Sequence, residues 1–234
     1  MDAKLPDERL ERLVEHLSKA PLSGLPQACG SVHEAKAADR FWGNERVRHE
    51  AIIAVQRAET LLRLKGEDKV LLVQDTTSVN FSHHPATAGL GPLENEHCRG
   101  FLAHSTLAVS RVGVPLGLLE QQVWVRRDED TGKRHQRHER PFEQKESYKW
   151  VKGLPKAEAR DSLGYVVVCD AEAHIYEFLD EMMEQSLDFI VRAADARGFT
   201  EEGQALFDAI AQHAVQHPLH PVPETPPGSR GARG

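Results

Sequence analysis

Two short apolar segments of the chain each run directly into an aspartate. The first covers residues 69–75, ends at Asp75 and is followed by a cluster of hydroxyl-bearing residues; the second covers residues 164–170 and ends at Asp170. An uninterrupted Val/Leu run of this length is typical of a strand whose two faces are both covered. The segments therefore predict strands of an α/β sheet, each ending on a carboxylate.

The two aspartates are the first candidate site. Ligands of open α/β sheets bind outside the carboxyl ends of strands, so Asp75 and Asp170 are expected to meet if their strands are neighbours. We predict that the pair shares a divalent cation. An alternative stays open, because Asp is also common in turns and at helix N-caps, where it needs no ligand.

Composition limits the class of protein. A chain of 234 residues with 40% hydrophobic and 28% charged residues has the make-up of a globular protein with one large domain or two small ones. The sequence contains neither an apolar run of about 20 residues nor a signal peptide, which predicts a soluble, cytoplasmic protein with no membrane partner. Its three scattered cysteines indicate neither a disulfide framework nor a Cys-x-x-Cys zinc site.

The charge distribution gives no positive argument for a nucleic-acid partner. The net charge is −7, but the acidic excess lies after residue 155 and the preceding residues are close to neutral. Local basic surfaces therefore remain compatible with the first two thirds of the chain.

Residues 1–65 are predicted to form a small helical module. Helices are expected over residues 7–19, from about residue 31 to 42, and over 49–64, the last with an apolar stripe. Ser31 and Glu34 have the spacing of a capping box, and the stripe of the third helix consists of Ile52, Val55 and Leu62. Helix count alone does not separate a DNA-binding module from a packing cap on the main domain.

Residues 66–217 are predicted to form the core domain. A hairpin is expected from residues 101–110 and 116–125, with Phe101, Ala103, Leu107 and Val109 on one face of its first strand. Residues 126–147 are polar and expected to be an exposed loop, where His135 and His138 lack the further ligands that zinc needs. Helices over 143–151 and 172–185, a strand over 187–192 and a helix from residue 200 follow. The Pro-rich segment 218–234 is expected to be disordered.

The predicted order is three successive strands followed by alternating helices and strands. This is the order of an RNase H-like α/β domain, in which the first and fourth strands lie side by side. Those are the strands that end at Asp75 and Asp170, which favours the metal hypothesis. Mg²⁺ and Mn²⁺ prefer such oxygen ligands, and a pair of these ions can drive phosphodiester cleavage. A third carboxylate normally completes such a site.

Four segments in this order resemble one protein family. They are residues 34–41 with Asn44, residues 74–78, residues 143–150, and residues 168–173 leading to 189–192. The chain resembles the bacterial insertion-sequence transposases of the cut-and-paste, two-aspartate-one-glutamate (DDE) class, over about residues 7–215.

The resemblance implies a function for individual residues. Asp75 and Asp170 would be catalytic ligands of Mg²⁺ (or Mn²⁺) in an RNase H-like core. Arg40 would belong to the module that binds the double-stranded DNA of transposon ends. Lys149, Trp150 and Arg192 would face DNA, and a homodimer on DNA is a further expectation.

The chain also departs from the family pattern. The family's β-rich insertion and its catalytic glutamate, within Tyr-x-x-Arg-x-x-x-x-x-x-Glu, have no counterpart, and Ala171 is smaller than the usual basic residue. We therefore expect a truncated or frameshifted transposase that lacks the third carboxylate. Two alternatives stay open: a non-catalytic DNA-binding remnant that inhibits a full-length transposase, and a metal-dependent nuclease that recruits a local glutamate.

Overall fold

The computed structural model describes residues 7–94, 97–130, 140–155 and 163–193. Its strands are β1 (Lys69–Asn80), β2 (Gly91–Pro92), β3 (Arg99–Ser110), β4 (Pro115–Trp124), β5 (Gly164–Cys169) and β6 (Asp188–Val191). Its α-helices are α1 (Asp7–Lys19), α2 (Leu25–Ala28), α3 (Val32–Trp42), α4 (His49–Arg63), α5 (Lys149–Lys152) and α6 (Tyr176–Glu184).

The strands form one mixed sheet in the order β4-β3-β1-β5-β6, and the two-residue β2 pairs with the start of β3. Strands β1, β3 and β4 pair antiparallel, whereas β5 is parallel to both β1 and β6. The predicted hairpin and the predicted pairing of the first and fourth long strands are therefore confirmed. The protein has a mixed α/β fold, and its assignment as RNase H-like stays a prediction.

Strand β1 is longer than the sequence suggested. It continues to Asn80 and pairs with β3 over its whole second half, whereas its pairing with β5 stops at Gln74, opposite Cys169. The expectation that the strand ends at Asp75 is therefore wrong. The hydroxyl-bearing residues that resemble a turn signal include β-branched threonines, which favour an extended backbone.

The two faces of the sheet differ in burial. The face on which Phe101, Ala103, Leu107 and Val109 lie, as predicted, is only half-buried on β3. The opposite face is fully buried although it is partly polar, and includes Leu72, Gln74, His104, Thr106, Ala108 and Val167. The predicted alternation of side chains along β3 is correct. The more deeply buried face is the one whose polar side chains form hydrogen bonds inside the protein.

Helices α1 to α3 have an apolar cluster of their own. Its buried members are Leu13, Cys29, Ala38 and Phe41. The predicted cap of α3 is present, because the Ser31 hydroxyl accepts a hydrogen bond from the backbone N–H of Glu34 at 3.1 Å. The cluster extends as far as Val47 and includes no residue of α4.

Helix α4 packs along the outer edge of β4. Three of its side chains reach backbone carbonyls of that strand: Thr60 Oγ1 lies 2.9 Å from Leu118 O, Arg63 Nη1 3.0 Å from Leu116 O, and His49 Nε2 3.3 Å from Gln121 O. The expected apolar stripe does not make this contact, since Val55 is 50% exposed and Leu62 54%. Polar groups thus cover a sheet edge that would otherwise be open to another strand.

The segments after β4 are more irregular than predicted. The helix expected over residues 143–151 is replaced by two 3₁₀ turns, Phe142–Gln144 and Glu146–Tyr148, before the short α5. The helix expected from residue 172 begins at Tyr176, after a further 3₁₀ turn. Residues 131–139 with His135 and His138, the helix expected from residue 200 and the segment 218–234 lie outside the described residues. Within the described ranges, no helix combines the length and the apolar character that crossing a bilayer requires.

Candidate functional site

The register between β1 and β5 brings the two predicted aspartates together. Gln74 pairs with Cys169 as the last parallel pair of the two strands. Asp75 and Asp170 each follow directly, on strands that lie about 4.8 Å apart. Both backbones are extended there, so both side chains leave the sheet on the face opposite Gln74 and Cys169.

The surroundings of Asp170 match a capping position and leave the carboxylate able to bind a further ligand. It caps the 3₁₀ turn Ala171–Ala173, because its Oδ1 accepts a hydrogen bond from the backbone N–H of Glu172 at 2.9 Å. Its Oδ2 lies 4.0 Å from Arg192 Nη2. The capping interpretation is therefore confirmed for Asp170. A carboxylate accepts about four hydrogen bonds, so a cap leaves oxygen lone pairs free for another ligand.

Asp75 has a different setting. It is exposed and lies within β1, opposite Ser105 of β3. It neither begins a turn nor caps a helix, so the alternative interpretation, a turn or N-cap position, is wrong for this residue. An exposed carboxylate in a regular strand beside a second carboxylate is the arrangement that the metal hypothesis requires.

The donor set around the pair is limited. Among the described residues, no group of three or more His, Cys, Asp or Glu side chains is arranged to hold a metal ion. Burial, and next the charge of Asp170, raises the pKa of the Cys169 thiol to about 12, so this thiol stays neutral and is a poor ligand. Two carboxylates remain, which match the oxygen preference of Mg²⁺ and Mn²⁺ without completing a site.

Two residues that were expected to face DNA are buried instead. Trp150 is 1% exposed, and its ring packs edge-on against His104 with the centroids 4.6 Å apart. Lys149 is 9% exposed, and its Nζ lies 3.6 Å from Glu172 Oε2, in the turn that follows Asp170. The predicted DNA contact is therefore not supported for either residue. Both belong to the packing that supports the Asp170 turn.

The other two expected DNA contacts are accessible. Arg40 is exposed in the last turn of α3, close to Trp42, which is 50% exposed. The Arg192 side chain is 74% exposed. Guanidinium groups at such positions are free to bind phosphate oxygens.

A buried polar group lies directly behind Asp75, and sequence reasoning assigned it no role. His104 is fully buried, and its Nε2 and Nδ1 atoms lie 3.0 Å from Gln74 Oε1 and 2.9 Å from Thr76 Oγ1. Burial, and next the charge of Lys149, lowers the pKa of His104 to about 4, so its ring is neutral near pH 7. A single histidine in a strand has no spacing pattern that could have indicated this.

The helical N-terminus matches a known family. Residues 2–47 match the family model described as transposase DNA-binding. The matched segment ends at the last residue of the α1–α3 cluster, before α4 begins. This match supports the resemblance to transposases and supports DNA as a partner. The insertion-sequence origin and the two-aspartate-one-glutamate class stay predictions.

One solved structure with a weak likeness is described as "Crystal structure of the Mos1 Strand Transfer Complex". The sequence identity is 13%, the likeness covers 87% of this chain, and the TM-score is 0.25. It covers 63% of the Mos1 chain, so less than two thirds of that protein has a counterpart here. A TM-score this low does not assign a fold.

Proposed function

We propose that the chain is a DNA transposase of the two-aspartate-one-glutamate class with an RNase H-like core, in a form that lacks the catalytic glutamate. In this proposal α1 to α3 bind the double-stranded DNA of transposon ends, and Asp75 and Asp170 bind Mg²⁺ or Mn²⁺ for phosphodiester cleavage and strand transfer. The observation that carries the proposal is the β1–β5 register, which puts two carboxylates side by side at one end of the parallel strands.

Each residue has a definite task in this proposal. Asp75 is exposed, so a DNA backbone can approach its carboxylate. Asp170 is oriented by the N–H of Glu172, and Arg192 is close enough to bind a phosphate next to it. When bound, Mg²⁺ or Mn²⁺ supplies the activation of a water or 3′-hydroxyl and the stabilisation of the leaving oxygen.

DNA binding by the helical module is supported by the family match over residues 2–47. Arg40 and the neighbouring Lys36 are exposed on α3, where both can bind DNA phosphates. A homodimer on DNA would bring two such modules to the two ends of a mobile element.

The second candidate is a DNA-binding protein that does not cleave. The described residues hold no third acidic ligand beside Asp75 and Asp170, and Arg192 lies near one of the two carboxylates. Such a protein would occupy transposon ends and compete there with an active transposase.

A plasmid nicking assay with Mn²⁺ separates the two candidates. The wild type is compared with Asp75→Asn and Asp170→Asn, and Asp188→Asn serves as the control, because Asp188 is an exposed carboxylate at the opposite end of the parallel strands. A transposase nicks the plasmid in the wild type and the control, slowly because the third carboxylate is missing, and loses this activity in both site variants.

A binding assay complements the nicking assay. Duplexes are selected from a random-sequence library at a stated salt concentration, because phosphate contacts weaken steeply with salt. Selective binding without any nicking favours the second candidate. If the chain neither nicks nor binds DNA at low salt, both candidate functions are overturned.

A further inference from the structure

Asp75 lies at the point where β1 loses one of its two neighbours. Up to Gln74 the strand is paired with β3 on one side and β5 on the other. From Asp75 to Asn80 its partner among the described strands is β3 alone. Strand segments with one neighbour have free backbone groups on the other side and are held less firmly. A residue that must present a carboxylate in a fixed direction therefore needs other support here.

The support comes from the opposite face of the sheet. Gln74 and Thr76, the residues on either side of Asp75, point to the buried face and both contact His104. His104 lies directly opposite Thr76 in the β1–β3 register. One imidazole ring thus connects the residue before Asp75, the residue after it and the neighbouring strand.

The chemistry of the contacts fixes their direction. A neutral imidazole has one donor and one acceptor. Gln74 Oε1 accepts the hydrogen bond, so His104 Nε2 donates it. His104 Nδ1 then accepts a hydrogen bond from the Thr76 hydroxyl. Each ring nitrogen has a partner, as expected of a buried polar group.

The ring is also held by packing. Trp150 contacts it edge-on, and neither ring has more than 1% exposure. The Gln74 side chain packs close to the backbone of Gly153, where an added Cβ would lie 2.4 Å from Gln74 Oε1. Rotating His104 would require opening a densely packed region.

We infer that His104 is a positioning residue for Asp75, which holds Gln74 and Thr76 and thereby fixes the direction of the carboxylate between them. The inference rests on the proposed function, in which the Asp75 carboxylate binds a divalent cation. His104 acts through the backbone of β1, since its own contacts lie on the other face of the sheet.

The test uses threonine substitutions in the full chain. Thr76→Val removes the hydrogen bond to His104, and Thr76→Ser retains the hydroxyl. Thr106→Val is the matched control: Thr106 is 1% exposed on the same face, two residues from His104, and its hydroxyl bonds Gly153 O at 3.1 Å. The Mn²⁺ dissociation constant is measured by electron paramagnetic resonance, and amide hydrogen exchange is measured over residues 74–77.

Thr76→Val is expected to weaken Mn²⁺ binding about 10-fold, the lower end of the effect of losing a group that orients a metal ligand. It is also expected to speed amide exchange at Asp75 and Thr77. Thr76→Ser should restore both quantities, and Thr106→Val should change neither. Combined with Asp75→Asn, Thr76→Val should cause no further loss of Mn²⁺ affinity.

Equal effects of Thr76→Val and Thr106→Val would overturn the positioning role, because they would indicate general loosening of the sheet. So would unchanged exchange at residues 74–77 in Thr76→Val. If Asp75→Asn itself leaves the Mn²⁺ affinity unchanged, the proposed metal function is wrong. In that case, amide hydrogen exchange over residues 74–77 in Thr76→Val and Thr106→Val decides by itself whether His104 positions Asp75.

Discussion

The two faces of the central sheet contrast in burial and in chemistry. The fully buried face includes polar side chains, among them Gln74, His104 and Thr106. The half-buried face is largely apolar but presents Asp75 and Asp170 at one end. Burial therefore does not follow hydrophobicity alone: His104 and Thr106 make their hydrogen bonds inside the protein, whereas Gln74 Nε2 has no hydrogen-bond partner among the described residues. One face fixes the strands, and the other keeps the carboxylates accessible.

The largest expected difference between the faces comes from two adjacent leucines of β1. Leu72 is fully buried, whereas Leu71 points to the half-buried face. Leu72→Ala should lower the free energy of unfolding by about 4 kcal/mol, because it leaves a cavity in packed surroundings. Leu71→Ala should cost about 1 kcal/mol, since water already reaches part of that side chain. Denaturant unfolding of the two variants measures both, and equal losses would remove the distinction between the faces.

The second effect is a pH dependence of stability that originates in His104. The pKa is 6.5 for an ordinary histidine and about 4 in the folded chain. Between these values the unfolded chain binds a proton that the folded chain does not, so stability falls as pH drops from 6.5 to 4. The loss is roughly 3 kcal/mol.

The control for the pH effect is His104→Asn, which cannot titrate in this range. The difference in unfolding free energy between the wild type and this variant should shrink by roughly 3 kcal/mol from pH 7 to pH 4. Other titrating groups cancel in that difference. A difference that stays constant with pH would contradict the neutral, buried histidine.

The smallest of the stability effects concerns two glycines. A Cβ at Gly153 would lie 2.4 Å from Gln74 Oε1 and 2.7 Å from Thr106 Oγ1, whereas at Gly164 it would meet the flexible Lys69 side chain at 3.2 Å. Gly153→Ala should therefore cost about 2 kcal/mol through overpacking, and Gly164→Ala less than about 0.5 kcal/mol. Thermal unfolding of both variants measures this, and a tolerated Gly153→Ala would mean that the polar face is loosely packed.

The sequence was sufficient for elements whose signals are local. The apolar runs before Asp75 and Asp170 predicted two strands, and both are present as β1 and β5. The Ser31 cap followed from its spacing to Glu34 and is present. Local chemistry decided both, so no knowledge of distant contacts was needed.

Features that depend on distant contacts could not be predicted. The burial of Trp150 and Lys149 is set by β3, β4 and α6, so a motif next to a candidate site looked like a DNA contact. The attachment of α4 through Thr60 depends on a carbonyl 58 residues away in the chain. The link from His104 to both neighbours of Asp75 likewise requires the β1–β3 register, which no spacing pattern contains.

The central claim is that Asp75 and Asp170 bind one divalent cation together, and Mn²⁺ titration of the isotope-labelled full chain tests it most directly. Bound Mn²⁺ should broaden the amide signals of residues 75–77 and 170–172 at the same metal concentration. The signals of Lys69, about 20 Å from Asp75 along β1, and of Asp188, paired with Val166 and about 13 Å from Asp170 along the strands, should broaden less. Broadening near only one aspartate, or first at Asp188, would contradict a shared metal site.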